Sequence, residues 1–207
     1  MTIPPQYPAE PLLDGEVDPD PMVQFVSWFE EASRVVRLPE AAALATASGD
    51  GRPSVRMVLL RGWGDDGFVF HTDYGSRKAG ELVANPVGAR LLHWDALGRQ
   101  IRIEGPIEKT TAEESDAYFS SRPRDRQIAA HSSDQSRPIA SRHALDEKVG
   151  EVTARFDGRP VPRPESWGGF RLRPENYEFW QGHDDRLHDR LRYRRTGEGW
   201  KIDRLQP

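Results

Sequence analysis

Apolar residues recur at three- and four-residue steps through Met22, Phe25, Phe29, Ala32 and Val36, which marks one face of a helix. Asp20 stands where an N-cap belongs, Pro21 suits the first helical position, and Pro39 stops the element. The period then shortens to two. Residues 42–46 and 54–60 read as strands around the hairpin turn Ser48-Gly49-Asp50-Gly51, and residues 68–72 follow the turn Gly64-Asp65-Asp66-Gly67. A short helix is expected over 76–84, ending before Pro86. Strands follow at 88–94, 100–104 and 107–110.

Thr111-Ala112-Glu113-Glu114 reads as a capping box opening a helix that carries Tyr118 and Phe119. Residues 121–142 are polar and loop-like, with a helical turn around Ile128. Leu145, Val149, Val152 and Phe156 mark another amphipathic helix. The Pro-rich stretch 157–166 reads as a linker. Final strands are expected at 169–173, at 178–180 with its continuation, at 188–194, and at 200–205 after the turn Thr196-Gly197-Glu198-Gly199. Residues 1–19 hold Pro4, Pro5, Pro8, Pro11 and Pro19 and read as an extended, flexible N-terminal arm before a single domain over 20–207. Many short strands joined by hairpins and interrupted by helices give an α+β fold, an antiparallel sheet or barrel with helices packed outside.

The length of 207 residues is enough for a sizeable core, and apolar residues make up 36% of it. Lys and Arg number 29 against 33 Asp and Glu, so the formal charge is −4, which argues against a dedicated binder of nucleic acid or anionic membrane. The absence of cysteine removes disulfides, thiolate nucleophiles and Cys-type metal sites. No apolar run reaches membrane-spanning length and no signal peptide opens the chain, so a cytoplasmic protein is expected. Histidine spacing predicts no metal site.

Several cations sit where they invite an anion. Period two places Arg56, Val58 and Leu60 on one strand face and Met57, Leu59 and Arg61 on the other; a solvated pair of arginines fits the same spacing. Ser76-Arg77-Lys78 opens a helix, where backbone N–H groups, a hydroxyl and two cations make a phosphate cradle, though a plain surface turn has the same composition. Ser121-Arg122-Pro123-Arg124-Asp125-Arg126 is a second cationic loop. On a strand, Arg186, His188 and Arg190 share a face, and two guanidiniums beside His188 favour a neutral imidazole. Trp180-Gln181-Gly182 lies directly before them. These features point to phosphorylated or planar anionic ligands, either two of them or one with two ends.

The sequence also resembles the pyridoxamine 5′-phosphate oxidase family. The strings that carry the resemblance are Arg56-Met57-Val58-Leu59-Leu60, Ser76-Arg77-Lys78, Gly98-Arg99-Gln100, Ser121-Arg122-Pro123-Arg124-Asp125 and Gln135-Ser136. Trp167-Gly168-Gly169-Phe170, Glu178-Phe179-Trp180-Gln181-Gly182, Arg186-Leu187-His188-Asp189-Arg190 and Trp200-Lys201-Ile202-Asp203-Arg204-Leu205 continue it in order. The resemblance implies an FMN-binding split β-barrel, antiparallel and Greek-key-like, that forms a homodimer with FMN at the interface. It implies oxidation of pyridoxamine or pyridoxine 5′-phosphate to pyridoxal 5′-phosphate, with O2 as acceptor and H2O2 released. No side chain accepts a hydride, so a cofactor must be the electron sink.

Carried over by position, the resemblance implies flavin contacts at Arg56, Met57, Val58, Leu59, Leu60, Arg61, His71 and Thr72. Arg77 and Lys78 would hold the FMN phosphate, and Gln100, Gln135, Ser136, Trp180 and Arg190 would complete the pocket, partly from the other subunit. The substrate would meet Tyr7, Arg61, Tyr118, Arg122 and Arg126, with Arg186, Leu187 and His188 over the pyridine; Arg186 and His188 are the catalytic candidates. The chain departs from the family where Arg61 replaces Lys, Arg126 replaces Ser, His71 replaces Tyr and Pro4 replaces Arg. Two alternatives stay open. One is a flavin oxidase acting on another substrate, such as a phenazine precursor; the other is a non-catalytic carrier of flavin, deazaflavin or pyridoxal phosphate.

Overall fold

The computed structural model describes residues 11–207. α1 (Pro21–Val35) starts as expected, with the Asp20 carboxylate accepting the Met22 N–H at 2.7 Å. It buries Phe25, Trp28 and Ala32 against the sheet, Phe25 lying edge-on to Phe68 at 4.8 Å.

The strands are β1 (Ala41–Ala47), β2 (Pro53–Leu59), β3 (Gly62–Gly64), β4 (Gly67–Asp73), β5 (Val87–Trp94), β6 (Arg99–Lys109), β7 (Trp167–Leu172), β8 (Asn176–Gln181), β9 (Asp189–Thr196) and β10 (Gly199–Arg204). All pair antiparallel, in the order β10-β9-β8-β6-β5-β1-β2, with β7 and β4 branching from β6 and β3 from β4. The Arg61 N–H donates to the Val69 carbonyl at 2.9 Å, so the end of β2 meets β4 and the sheet curls back on itself. This is the α+β split barrel. Its interior holds Leu44, Phe68, Phe70, Leu92, Ile101, Ile103, Leu172 and Phe179.

β6 corrects the expectation of two strands. Residues 99–104 pair with β8 and 107–109 with β7, and the strand runs unbroken through Gly105-Pro106. Gly105 is where it crosses the β7–β8 connection: a Cβ there would stand 2.0 Å from the Arg173 carbonyl oxygen. Backbone cannot retreat as a side-chain tip can. Gly105→Ala is therefore expected to cost about 3 kcal/mol, read as a lowered midpoint of urea unfolding.

Four helices complete the fold: α2 (Arg77–Ala84), α3 (Ala112–Ser121), α4 (Arg124–Ser132) and α5 (Arg142–Arg155). The capping box at Thr111 forms, with Thr111 and Glu114 each accepting the other's N–H. α4 is a nine-residue helix where a mostly polar loop was expected. Its polar residues hid it: only Ile128 and Ser132 are buried, and a single apolar contact sets no period. α5 forms with no residue buried in its span, so its apolar stripe is weaker than the spacing suggests, though Val152 and the following Phe156 join a second core with Phe119, Ile128, Val161 and Trp167. The short β3 was not expected.

The expected strand at 188–194 begins only at Asp189. Arg186 has φ +65°, its N–H donates to the His183 carbonyl, and Leu187 N–H donates to Asp185. Arg186, Leu187 and His188 thus form a tight loop, and they do not share a strand face with Arg190. No described helix is long and apolar enough to cross a membrane.

Candidate functional site

The first cationic group forms where α2 starts. Ser76 is its N-cap but makes no capping hydrogen bond, which leaves first-turn N–H groups available; that of Arg77 donates to Ser136 Oγ at 3.2 Å. Lys78 is buried, and neutral oxygens hold its ammonium: Thr72 Oγ1 at 2.9 Å, Gln135 Oε1 at 2.7 Å and Ser76 Oγ at 3.3 Å. No carboxylate among the described residues comes within ion-pair distance of it. Burial, and secondly Arg56, push the ammonium down to about 8. A buried cation held by neutral groups at an uncapped helix start is a donor set that fits a phosphate. Thr72, Arg77, Lys78, Gln135 and Ser136, all expected as cofactor residues, converge here.

Behind the cradle lies a residue the sequence reading missed. The Glu81 carboxylate accepts from Arg77 Nε at 2.8 Å, Arg56 Nη2 at 3.0 Å, Ser54 Oγ at 2.6 Å and Thr46 Oγ1 at 2.5 Å. Arg56 is thereby turned toward α2 and away from solvent. The i,i+4 step from Arg77 to Glu81 was a readable signal; the Arg56 partnership was not.

β2 pairs only with β1, so its other backbone edge is open for most of its length. Met57 is 64% exposed and Leu59 is also outward, while Val58 packs against the core and Leu60 is buried within it. Leu60 can therefore offer a ligand backbone only.

The second cationic group lies at the α3–β7 end. The rings of His71, Tyr118 and Trp167 are nearly parallel, His71 standing 3.9 Å from Tyr118 and 5.2 Å from Trp167. The Arg122 guanidinium lies 4.6 Å over the Trp167 ring. Arg122 Nη1 and His71 Nδ1 are both buried without a hydrogen-bond partner. Burial, then the charges of Arg122 and Arg61, push the imidazole down to about 4. Arg61 reaches Glu40 only at 3.6 Å, and Arg126 is exposed beside Asp125 on α4. Trp167, part of the second core, also serves as the platform for a cation.

The third group is a rung of the sheet. Gln100, Trp180 and Arg190 are directly opposite one another on β6, β8 and β9, on the face away from the barrel interior. Glu178 anchors Arg190 at 2.9 Å, with a further bond from Arg190 to the Gln206 carbonyl. The His188 ring stands 4.7 Å from that of Trp180, and its Nδ1 accepts the His183 N–H at 3.0 Å, so Nδ1 carries no proton. Arg186 and Leu187 project outward, Leu187 68% exposed.

The second and third groups lie toward opposite ends of β6. β6 serves as a ruler: Trp180 is opposite Gln100, whereas β7 joins the strand at Lys109, next to the Gly169 rung of His71. Those nine residues span about 30 Å along the strand. On the outward sheet face between them lies a cleft of about 300 Å³ lined by Ala43, Ala45, Ala89, Leu91, Gln100 and Arg102.

Residues 11–19 are pinned to the C-terminal strands: Leu12 N–H donates to Asp189, Asp14 pairs with Arg204, and Asp18 accepts from Tyr193. Tyr7 and Pro4 lie outside the described residues.

Two family models match the chain, one described as pyridoxamine 5′-phosphate oxidase over residues 29–156, the other as the pyridoxine 5′-phosphate oxidase C-terminal dimerisation region over 167–207. A protein of Rubrobacter xylanophilus named pyridoxine/pyridoxamine 5′-phosphate oxidase is 54% identical over 98% of this chain and 94% of its own. One of that name from Gluconobacter oxydans is 49% identical over 95% and 98%. Among solved structures, PhzG from Burkholderia lata 383, in complex with tetrahydrophenazine-1-carboxylic acid, superposes with a TM-score of 0.91 at 35% identity, covering 98% of this chain and all of that one. An FMN-binding protein of Nostoc punctiforme shares the fold, with a TM-score of 0.72 at 17% identity, over 90% and 98%.

Proposed function

The chain belongs to the pyridoxamine 5′-phosphate oxidase family, and on that premise we propose that it oxidises pyridoxamine or pyridoxine 5′-phosphate to pyridoxal 5′-phosphate, using O2 and releasing H2O2. The observation that carries this reading is the pair of separate anion pockets, one around Lys78 and one around Arg122, each holding buried cationic nitrogen without an anionic partner. A flavin mononucleotide and a phosphorylated pyridine are two ligands that need such a pair.

FMN would be held by Arg77, Lys78, Thr72, Gln135 and Ser136 at its phosphate, with its ring along the open edge of β2. Once bound it supplies the hydride acceptor that no side chain can provide. Arg61, Tyr118 and Arg122 would grip the substrate phosphate. Gln100, Trp180, Arg186, His188 and Arg190 would come from a second copy of the chain, His188 and Arg186 holding the pyridine so that its reacting carbon faces the flavin. Their work is placement, which is worth several orders of magnitude when two rings must meet in one orientation. The match to a dimerisation region over β7–β10 and the outward apolar positions Val55, Met57 and Leu59 support a homodimer.

The test is direct. The purified protein is expected to carry a flavin absorbance and to form aldehyde and peroxide in equal amounts from pyridoxamine 5′-phosphate in air. FMN-loaded protein that turns over neither phosphorylated vitamer refutes the reading. The likeness to PhzG supports a second one, oxidation of an unphosphorylated phenazine precursor. A preference for such a substrate over the phosphorylated vitamers would favour it.

A further inference from the structure

We infer that His71 is a specificity residue of the Arg122 pocket, its Nδ1–H donating to the phosphate ester of the substrate. This rests on the proposed function and adds to it a residue that separates phosphorylated from unphosphorylated ligands.

The assignment starts from strand alternation. Thr72 turns its hydroxyl inward to Lys78 and Gln135, so its neighbour His71 must point to the opposite face of β4. That face carries the Tyr118–Trp167 stack and Arg122, away from the Lys78 cradle. Within this cluster the two buried nitrogens that lack partners, His71 Nδ1 and Arg122 Nη1, belong to residues packed against one indole. Buried donors are normally satisfied, and a pair left open together marks where a ligand supplies the acceptor. The acceptor is an anion, because Arg61 and Arg122 both bear on the site. Glu114, the nearby carboxylate that opposes them, is engaged by Arg171 and by the Thr111 N–H.

A neutral imidazole suits the task. It adds a directed N–H without a third charge, and its ring fixes Tyr118 by stacking. Burial and the two arginines keep it neutral across the working range of an enzyme.

The experiment separates stacking from hydrogen bonding. His71→Phe keeps a flat ring and removes both nitrogens; His71→Asn restores an N–H near the Nδ1 position. On FMN-loaded protein, the dissociation constant of pyridoxal 5′-phosphate is expected to rise roughly ten- to a hundredfold in His71→Phe, with a matching rise in KM for the phosphorylated substrate. Binding of pyridoxal, which has no phosphate, should hold within about twofold. His71→Asn should recover most of the loss. Undiminished pyridoxal 5′-phosphate binding by His71→Phe overturns the inference, as does an equal loss for pyridoxal. Wild-type protein that does not oxidise the vitamers refutes the proposed function instead, and the binding comparison still decides the role of His71.

Discussion

Co-expressed Arg122→Leu and His188→Ala chains are expected to regain activity that neither variant has alone. Each variant alone should lose about two orders of magnitude in kcat/KM, the first by deleting charged donors to the substrate phosphate, the second by loosening the pyridine. The geometry decides what happens when they pair. Arg122 lies beside Trp167 at the β7 end of β6, and His188 lies beside Trp180 at its Gln100 end. In the proposed arrangement each site draws one end from each subunit. A mixed dimer then contains one site with both residues intact and one with neither. Random pairing gives about half mixed dimers, hence about a quarter of wild-type activity, and an isolated mixed dimer gives about half. The check is turnover of the doubly tagged, purified mixed dimer. If it stays as inactive as its parents, Arg122 and His188 serve the same chain's site, and the interfacial arrangement fails.

The parts of this architecture that the sequence announces are those governed by local rules. Asp20, Thr111 and Glu114 cap their helices because capping needs only neighbours two or three residues away. The hairpin around Ser48-Gly49-Asp50-Gly51 is likewise local, and so is the helix start at Ser76-Arg77-Lys78, although its partners Gln135 and Ser136 are distant. What stayed hidden depends on partners far along the chain. His188 left the strand because His183 and Asp185 bind the intervening loop's backbone and its ring, which no period-two pattern encodes. Glu81 on α2 is bonded by Arg56 from β2, twenty-five residues away, which no local pattern encodes. Arg90 is the extreme case: fully buried on β5, with none of its guanidine nitrogens hydrogen-bonded among the described residues and the Phe70 ring 5.1 Å away. The Gln100, Trp180 and Arg190 rung was legible as residues but not as position, since its place is set by the sheet register.

The largest stability effect is expected at Glu81. Its carboxylate is 7% exposed and reaches from α2 to β1 and β2, where it is the counter-charge of Arg56 and Arg77. Burial alone would push its pKa up. Hydrogen bonds from Ser54, Thr46, Arg77 and Arg56 outweigh that and hold it near 2, below the ordinary 4.5. The shift works through linkage. A carboxylate more acidic in the folded than in the unfolded chain stabilises the fold above pH 4.5, and that contribution drains away as pH falls toward 2. Its size is about 3 kcal/mol. Glu81→Leu should cost more, about 3–5 kcal/mol, because the half-buried Arg56 guanidinium keeps its charge and loses its partner. Glu81→Gln, which keeps the shape, should fall between the variant and the wild type. Urea unfolding of the flavin-free protein at pH 7 and again near pH 3 tests both statements. The gap between wild type and Glu81→Gln should shrink at the lower pH, because part of the wild type's advantage has then been protonated away. A gap that is constant with pH would mean that Glu81 acts by packing, and that Arg56 and Arg77 hold their places at the phosphate cradle without it.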